Sequence, residues 1–448
     1  MTAWNEQIRQ LRLRRRLTQE QLAEQLARVA WERDKEHVGV DGGMVSKWER
    51  GQKQPSNSYR RLLAEFFDTD ELDFIDPAAN LDDLGLEYAR SLPETIDAID
   101  NLGHADMDRR TFLKSAVFAV AASVGPSRDW LLATLEKTTS AAHGVSSTQV
   151  EAIRRAFGVF QELDVMRGGG HARRQLAGYL TSTVTPLLRS NDPSTATGRA
   201  LYEAGAEQLY LIGWMAYDDG EHALAQRYLI QALRLAHEAS SSELGAHVLA
   251  GLSDQATLTG HPDHALQLAK AGRAGLKHGH SPACLADLWA LQARAEAALG
   301  DHRAAAHSVI ESERRAEMVV PGEEPEWARF IDNAYLNGEY AHAFRDIDRP
   351  NETAAFAARS AEEAHRQNRG RRGSLAHATL ARAAIAQHDL ESAAAEAQTT
   401  VRLAATVRSS RSIAAVSDLR NRLADHQDSL PVAEFFDLAN TLLPRSGR

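Results

Sequence analysis

The sequence predicts an all-α protein. Apolar residues recur at helical spacing through most of the chain, aromatics make up only 6%, and alanine is abundant in the second half. Small side chains at that spacing suit closely packed helices rather than sheets, which favour β-branched and aromatic residues. The third observation is the most telling: a unit of helix, tight turn and helix recurs at near-constant intervals beyond residue 200. With 448 residues the chain exceeds what one ordinary core accommodates, so two or more domains are expected.

Charge divides the chain in the same way. The net charge is −10, but residues 1–66 carry 13 Lys and Arg against 9 Asp and Glu, a net of +4. Residues 67–107 carry a net of −11 and the remainder a net of −3. A basic head, an acidic collar and a nearly neutral body point to nucleic-acid binding confined to the head.

In the head, "EQIRQLRLRRRLTQEQLAEQLARVAW" sets Ile8, Leu11, Leu17, Leu22 and Leu26 at helical spacing. Thr18 is a good N-cap, with Glu20 and Gln21 in the turn that follows, so a second helix opens almost without a linker. In "GVDGGMVSKWERGQKQPS", Asp41 caps a short helix with Val45 and Trp48 on its inner face. Gly51 ends that helix and Pro55 blocks its continuation. With "LLAEFF", these motifs over residues 5–67 resemble the repressor-type (XRE) helix-turn-helix domain.

That resemblance implies that the second helix of the motif enters the major groove of a double-stranded DNA operator. Gly42, Gly43, Met44 and Lys47 would face base edges, while Gln19, Ser46 and Arg50 would sit at phosphate-contact positions. Lys47 suits guanine and Met44 a thymine methyl; two glycines beside them leave much of the specificity to DNA shape. Arg12 and Glu49 are expected to form a structural ion pair, and Arg14, Arg15 and Arg16 to add phosphate contacts. One departure from the family is the inserted "ARVAWERDKEHV" (27–38), expected to lengthen the second helix or form a charged protrusion.

Residues 68–127 read as an acidic linker followed by a connecting helix. Residues 68–83 are acidic enough to compete with DNA for the head. The stretch "DMDRRTFLKSAVFAVAASVGPS" (106–127) has the look of a twin-arginine export signal, but more than a hundred residues precede it. Its apolar run, Ser115–Val124, is about half of the roughly 20 residues a membrane span needs. A buried helix joining head and body, with Phe112, Ala116 and Ala119 on one face, is the expected role, and no membrane partner is expected.

The body, residues 128–448, carries the repeats. Turns fall at Gly220, Gly260, Gly300, Asp348 and His388, spaced by 40, 40, 48 and 40 residues, and the loop "VVPGEEPEW" accounts for the long step. Within each unit the pattern resembles the tetratricopeptide repeat: Leu209, Ile212, Gly213, Ala216, Ala225, Leu229 and Ala232 fall on its signature positions in the first. Leu380, Ala381, Ala384, Ala393 and Ala397 do so in the fifth. The resemblance implies a right-handed α-solenoid of five to seven repeats that also carries the dimer contact. Its groove-facing positions would hold Tyr210, Trp214, Tyr217, His247, Asp254, Arg294, Tyr335, His342, Arg345 and Arg382. Aromatics with arginines suit a short peptide bearing a carboxylate, or an amphiphilic small molecule.

Catalytic signals are missing. "RGGGHARR" lacks the Lys-Ser/Thr of a phosphate loop, and no His-Glu-x-x-His, nucleophile elbow or cysteine pair occurs. Cys284 is the single cysteine, which excludes an intrachain disulfide and suits a reducing cytoplasm. No enzyme activity, cofactor or metal is expected. A repressor-type head on a tetratricopeptide body resembles quorum-sensing regulators and large actinobacterial regulators of this layout. The resemblance implies a cytoplasmic homodimer on two DNA half-sites, with a signalling peptide or small-molecule effector in the solenoid. An interaction scaffold whose groove binds a protein partner is the alternative from a different class.

Overall fold

The structure of the chain, a computed structural model, describes residues 4–34, 38–52, 55, 57–67, 69, 91–107, 126, 130, 148–276, 281–320 and 322–443. All the regular structure among these residues is helical, so the all-α expectation holds. They fall into two compact units, one within residues 4–69 and the other from residue 91 onward.

The first unit contains α1 (Trp4–Arg14), α2 (Gln19–Asp34), α3 (Gly42–Glu49) and α4 (Asn57–Phe67). Thr18 and Gln21 form a reciprocal capping box at the start of α2. The Gln21 N–H donates to Thr18 Oγ1 at 3.1 Å, and the Thr18 N–H to Gln21 Oε1 at 2.8 Å. Asp41 caps α3 by accepting from the Met44 N–H at 2.7 Å, and Gly51 ends it at φ 67°. Ile8, Leu22, Leu26, Val45, Trp48 and Leu63 fill the core, with the Trp48 and Tyr59 rings 5.3 Å apart. The insertion extends α2 through Asp34, while residues 35–37 lie outside the described residues.

The second unit begins with α5 (Leu92–Met107), which the sequence reading assigned to the linker segment. It packs on α7 (Arg173–Tyr179), α8 (Thr185–Ser190) and α10 (His222–Glu238). Ile96, Ile99 and Leu102 are buried, and the Tyr228 hydroxyl donates to the Asp106 carboxylate at 3.3 Å. Most of the twin-arginine stretch, including Phe112, Ala116 and Ala119, lies outside the described residues, as does the acidic segment apart from Thr69.

From residue 196 onward the chain forms successive helical hairpins: α9 (Ala196–Asp218) with α10, α11 (Ser242–Leu258) with α12 (Pro262–Gly275), and α13 (Pro282–Ala298) with α14 (His302–Ala316). Then come α15 (Asn333–Asp346) with α16 (Pro350–Arg366) and α17 (Gly370–Ala386) with α18 (Leu390–Ala404). The five turn positions expected from sequence are all left-handed. Gly220, Gly260 and Gly300 have φ of 82°, 83° and 78°, and Asp348 and His388 have 57° and 61°. A chain that must reverse between two helices in three residues needs one left-handed residue there.

The first helix of each hairpin also touches the first helix of the next, so α9, α11, α13, α15 and α17 make one continuous inner layer. Alanine and glycine allow the close approach; a Cβ on Gly213 would come within 3.1 Å of Leu229. The array is finished by α19 (Ser410–Arg422) and α20 (Leu430–Leu442), whose Val416, Leu419, Val432 and Phe435 join the core of the fifth hairpin.

Candidate functional site

In the first unit the presentation of α3 is fixed by an ion-pair network. Arg12 Nε donates to Glu49 Oε1 at 2.5 Å, Nη2 to Glu49 Oε2 at 2.9 Å, and Nη1 to the Leu17 carbonyl at 2.6 Å. The hydrogen bonds to Glu49 raise the Arg12 pKa above its ordinary value, in spite of partial burial. This is the structural pair expected from sequence, and it ties α1 to the last residue of α3.

Gln19 joins the same network, its Nε2 donating to Glu49 Oε2 at 2.7 Å, so its amide is engaged within the fold. Gly42 is buried, and a Cβ there would lie 2.5 Å from Oε1 of the exposed Glu20 side chain, which would have to swing aside. Gly43, Lys47 and Arg50 are exposed, while Met44 and Ser46 are half-buried. Arg14, Arg15 and Arg16 are exposed, with the Arg15 guanidinium 4.6 Å from the centre of the Phe66 ring.

In the second unit most of the residues expected to line a groove are brought together, but as a buried network. Arg294 Nη1 donates to both Asp254 Oδ1 and Glu339 Oε2, the latter at 2.9 Å. Burial acts to lower the Arg294 pKa, and the two carboxylates more than reverse it. The Tyr335 hydroxyl donates to Asp287 Oδ1 at 2.9 Å, and burial pushes the Asp287 carboxyl up to about 8. His247 is enclosed by aromatic rings, 4.1 Å from Tyr210 and 4.7 Å from Trp327, and burial lowers its pKa to about 3. His342 is held neutral in the same way, at about 4. Arg345 and Arg382 are only half-buried and pair with Asp346 at 2.6 Å and Asp418 at 3.6 Å.

Two elements cover the inner layer here: Trp327 and Phe330, whose rings lie 4.7 and 5.6 Å from His247, and α6 (Thr148–Arg167), a helix in the stretch 150–190 that the sequence marks as a weaker flanking repeat. It packs on α9 and also reaches α17 in the fifth hairpin. The end of α6 is clasped to the C-terminal part of the array. Arg371 Nη1 and Nη2 donate to Asp164 Oδ1 and Oδ2 at 3.1 and 2.9 Å, and Arg371 Nη1 lies 3.1 Å from Asp218 Oδ2. Asp218 also accepts from the Gly169 N–H at 3.0 Å and from Ser409 Oγ at 2.8 Å.

The run "RGGGH" finds its explanation at this clasp. The Arg408 N–H donates to the Arg167 carbonyl at 2.8 Å, and Gly168 is left-handed at φ 86°. A Cβ on Gly169 would lie 2.5 Å from the Met215 carbonyl oxygen, so the backbones meet where no side chain fits.

Beside the clasp a cleft remains, between α6, α9, Phe330, the start of α17 and Arg411 of α19. Its space not filled by atoms is about 610 Å³ counted with its open mouth. Trp214 and Phe330, in ring contact at 6.2 Å between centres and tilted by 34°, line it, and four guanidiniums, of Arg369, Arg371, Arg372 and Arg411, edge it.

Sequence reasoning missed these four arginines together with Asp164, Asp287 and Glu339. The available signals were "NRGRRGS" and acids within apolar helices, such as "ELDVM" and "LNGEY". Neither signal says which partner each charge will meet.

Compared with known proteins, the chain matches no family model and no curated protein. Among the described residues no group of His, Cys, Asp or Glu is placed to hold a metal ion. Among the same residues no helix is long and apolar enough to cross a membrane.

Proposed function

We propose that the protein is a sequence-specific DNA-binding transcriptional regulator of the XRE helix-turn-helix class. In this reading its tetratricopeptide-like solenoid binds a signalling ligand that modulates operator binding, and the protein acts as a cytoplasmic homodimer. The observation that carries the reading is the first unit. A short capped helix is locked at its end by Arg12 and Glu49 and leaves Gly43, Lys47 and Arg50 exposed, in a segment with a net charge of +4. Such a helix offers cationic side chains to base edges and phosphates at once. A dimer would place two copies on half-sites about one DNA turn apart.

The body supports a ligand-binding role through the cleft beside the clasp, enclosed by helices far apart in sequence and lined by aromatic and cationic groups. A ligand there must bind one arrangement of the array more tightly than another if it is to change operator affinity. The scaffold reading needs an open groove for a protein segment. The burial of Tyr210, Trp214, Tyr217, His247 and Arg294 supports it less well.

The test is footprinting of the full-length protein on the DNA flanking its own gene, then a gel shift with Lys47→Ala/Arg50→Ala. Operator affinity should fall about tenfold or more while the circular dichroism spectrum is retained. Unchanged affinity overturns the assignment of α3 as the DNA-reading helix.

A further inference from the structure

Residues 322–332, between α14 and α15, are fastened at both ends. Glu324 accepts from the Ser281 hydroxyl and, at 3.1 Å, from the Ala283 N–H at the start of α13. Asp332 caps α15, accepting from the Tyr335 N–H at 3.0 Å, and pairs with Arg369 at 3.1 Å. Between these anchors the chain crosses the inner layer. Trp327 and Ala328 are buried there, and the Trp327 ring lies on that of His247 at 4.7 Å with a tilt of 23°. The Phe330 ring meets those of His247, Trp214 and Tyr335 at 5.6, 6.2 and 5.2 Å between centres.

Rings rather than hydrogen bonds hold this crossing down. Its backbone bonds are internal: the Ala328 N–H donates to the Pro325 carbonyl at 2.9 Å, the Arg329 N–H to that of Glu326 at 3.3 Å and the Ile331 N–H to that of Ala328 at 2.9 Å. Among the described residues one hydrogen bond joins residues 325–331 to the rest of the unit, from Gln161 Nε2 to the Trp327 carbonyl at 3.4 Å. A turn that carries its own hydrogen bonds can leave without breaking them. Gly322, left-handed at φ 89°, stands ahead of it.

Beneath the crossing, His247 is fully buried, and neither Nδ1 nor Nε2 has a hydrogen-bond partner among the described residues. Polar atoms buried in this way favour any arrangement that returns them to water. The groups around the ring leave a proton there uncompensated. Trp327 and Phe330 carry no charge, and the phenols of Tyr210 on α9 and Tyr335 on α15 are held neutral by burial. On α13, Asp287 Oδ2 stands 4.0 Å from His247 Nδ1, but burial keeps that carboxyl protonated up to about 8 and pushes the Cys284 thiol up as well. The remaining carboxylates are already paired: Asp254 with Arg294, Glu339 with Arg294 and Arg372, and Asp164 with Arg371.

We propose that residues 325–331 form a strap that lifts from the inner layer when His247 takes up a proton, baring the faces of His247, Tyr210 and Trp214. The closed strap shuts a charged imidazole away from water, and the open strap hydrates it. Burial lowers the His247 pKa from 6.5 to about 3, so closure is complete in strength above about 6.5 and weakens as pH falls toward 3. Between about pH 7.5 and about pH 5 the ratio of open to closed strap should rise about thirtyfold. The inference concerns the body alone, and it stands or falls without the DNA-binding reading.

Thiol labelling of the full-length protein tests it. Ala328→Cys places a thiol under the strap, and Ile331→Cys gives the same reading from its other end. Labelling by 4,4′-dithiodipyridine is followed as a function of pH and divided by the rate of an unstructured cysteine peptide at the same pH. The corrected rate should rise about thirtyfold between about pH 7.5 and about pH 5, while the buried native Cys284 stays slow. His247→Phe keeps the ring and removes both nitrogens, so it should flatten the profile. A rise of less than about threefold overturns the proposal. So does a rise that persists in His247→Phe, which takes the proton away from His247, or an equal rise at Cys284, which reports unfolding of the whole unit.

Discussion

Arg371 supplies the side-chain ion pair of the clasp between α6 and the C-terminal hairpins, and removing it gives the sharpest test of the fold. Arg371 makes two contacts to Asp164, at 3.1 and 2.9 Å, and a third to Asp218 at 3.1 Å. The Asp164 and Asp218 side chains are 3% and 0% exposed. In Arg371→Ala, Asp218 keeps the Gly169 N–H and Ser409 Oγ, whereas the Asp164 carboxylate loses both of its described hydrogen bonds.

Breaking a buried pair from one side costs about 3–5 kcal/mol, because a charge is left without compensation. That is roughly two to three and a half orders of magnitude in the folding equilibrium of this unit. The loss should depend on pH. Burial raises the pKa of Asp164 even with Arg371 present, and without it the rise must be larger. A raised carboxyl pKa contributes stability below its unfolded value and loses it as pH rises through the folded value. The deficit of the variant should therefore shrink as pH falls toward about 4 and approach the cost of an unsatisfied neutral group, about 1–3 kcal/mol.

Urea denaturation followed by far-ultraviolet circular dichroism at several pH values measures this. Arg371→Leu/Asp164→Leu should recover much of the loss, since apolar residues replace a buried pair at little cost. A loss of under about 1 kcal/mol, the size of an exposed pair, would refute the clasp. So would a loss that does not change with pH.

Other expectations follow from single sites. Gly169→Ala should lower stability by about 1–3 kcal/mol, because its Cβ meets the Met215 backbone, which cannot move aside; thermal melting reads this. Asp348→Gly and His388→Gly should each be neutral or stabilising by up to about 1 kcal/mol. Both turns are left-handed, and relief of that strain outweighs the added freedom of the unfolded chain.

Asp287→Asn should match the parent below about pH 4 and exceed its stability by a margin that grows up to about pH 8. Burial holds the Asp287 carboxyl up at about 8 against an ordinary 3.8, so its contribution is present below about 4 and lost as pH rises through about 8. Glu49→Ala should unfold the first unit as well as abolish DNA binding, because Arg12 is left buried without its carboxylate, whereas Lys47→Ala should affect binding alone. A spectrum of the Glu49 variant like that of the parent would count against this role.

Local features were legible in the sequence. The helices of the first unit, their caps at Thr18 and Asp41 and the five left-handed turns follow from residues close together or from a repeated pattern, whereas the Arg12–Glu49 pair, 37 residues apart, was expected only from the family resemblance. A cap or a reversal is satisfied by chemistry within four residues, so the residue type announces it. The pairing of buried charges was decided by the tertiary structure alone. Arg371 meets Asp164 from 207 residues away, and Arg294 meets Asp254 and Glu339 at separations of 40 and 45.

The same reason explains why the expected groove residues are buried. Helical periodicity identifies the face on which Tyr210, Trp214 and His247 lie, and that face is indeed shared. Whether it meets solvent, a ligand or another helix depends on what packs against it. Here α6 packs on α9 beside Tyr210 and Trp214, Trp327 and Phe330 pack on His247, and a cleft beside Arg411 is left. Sequence determines which side chains share a surface; the assembled layers decide which of those surfaces remain.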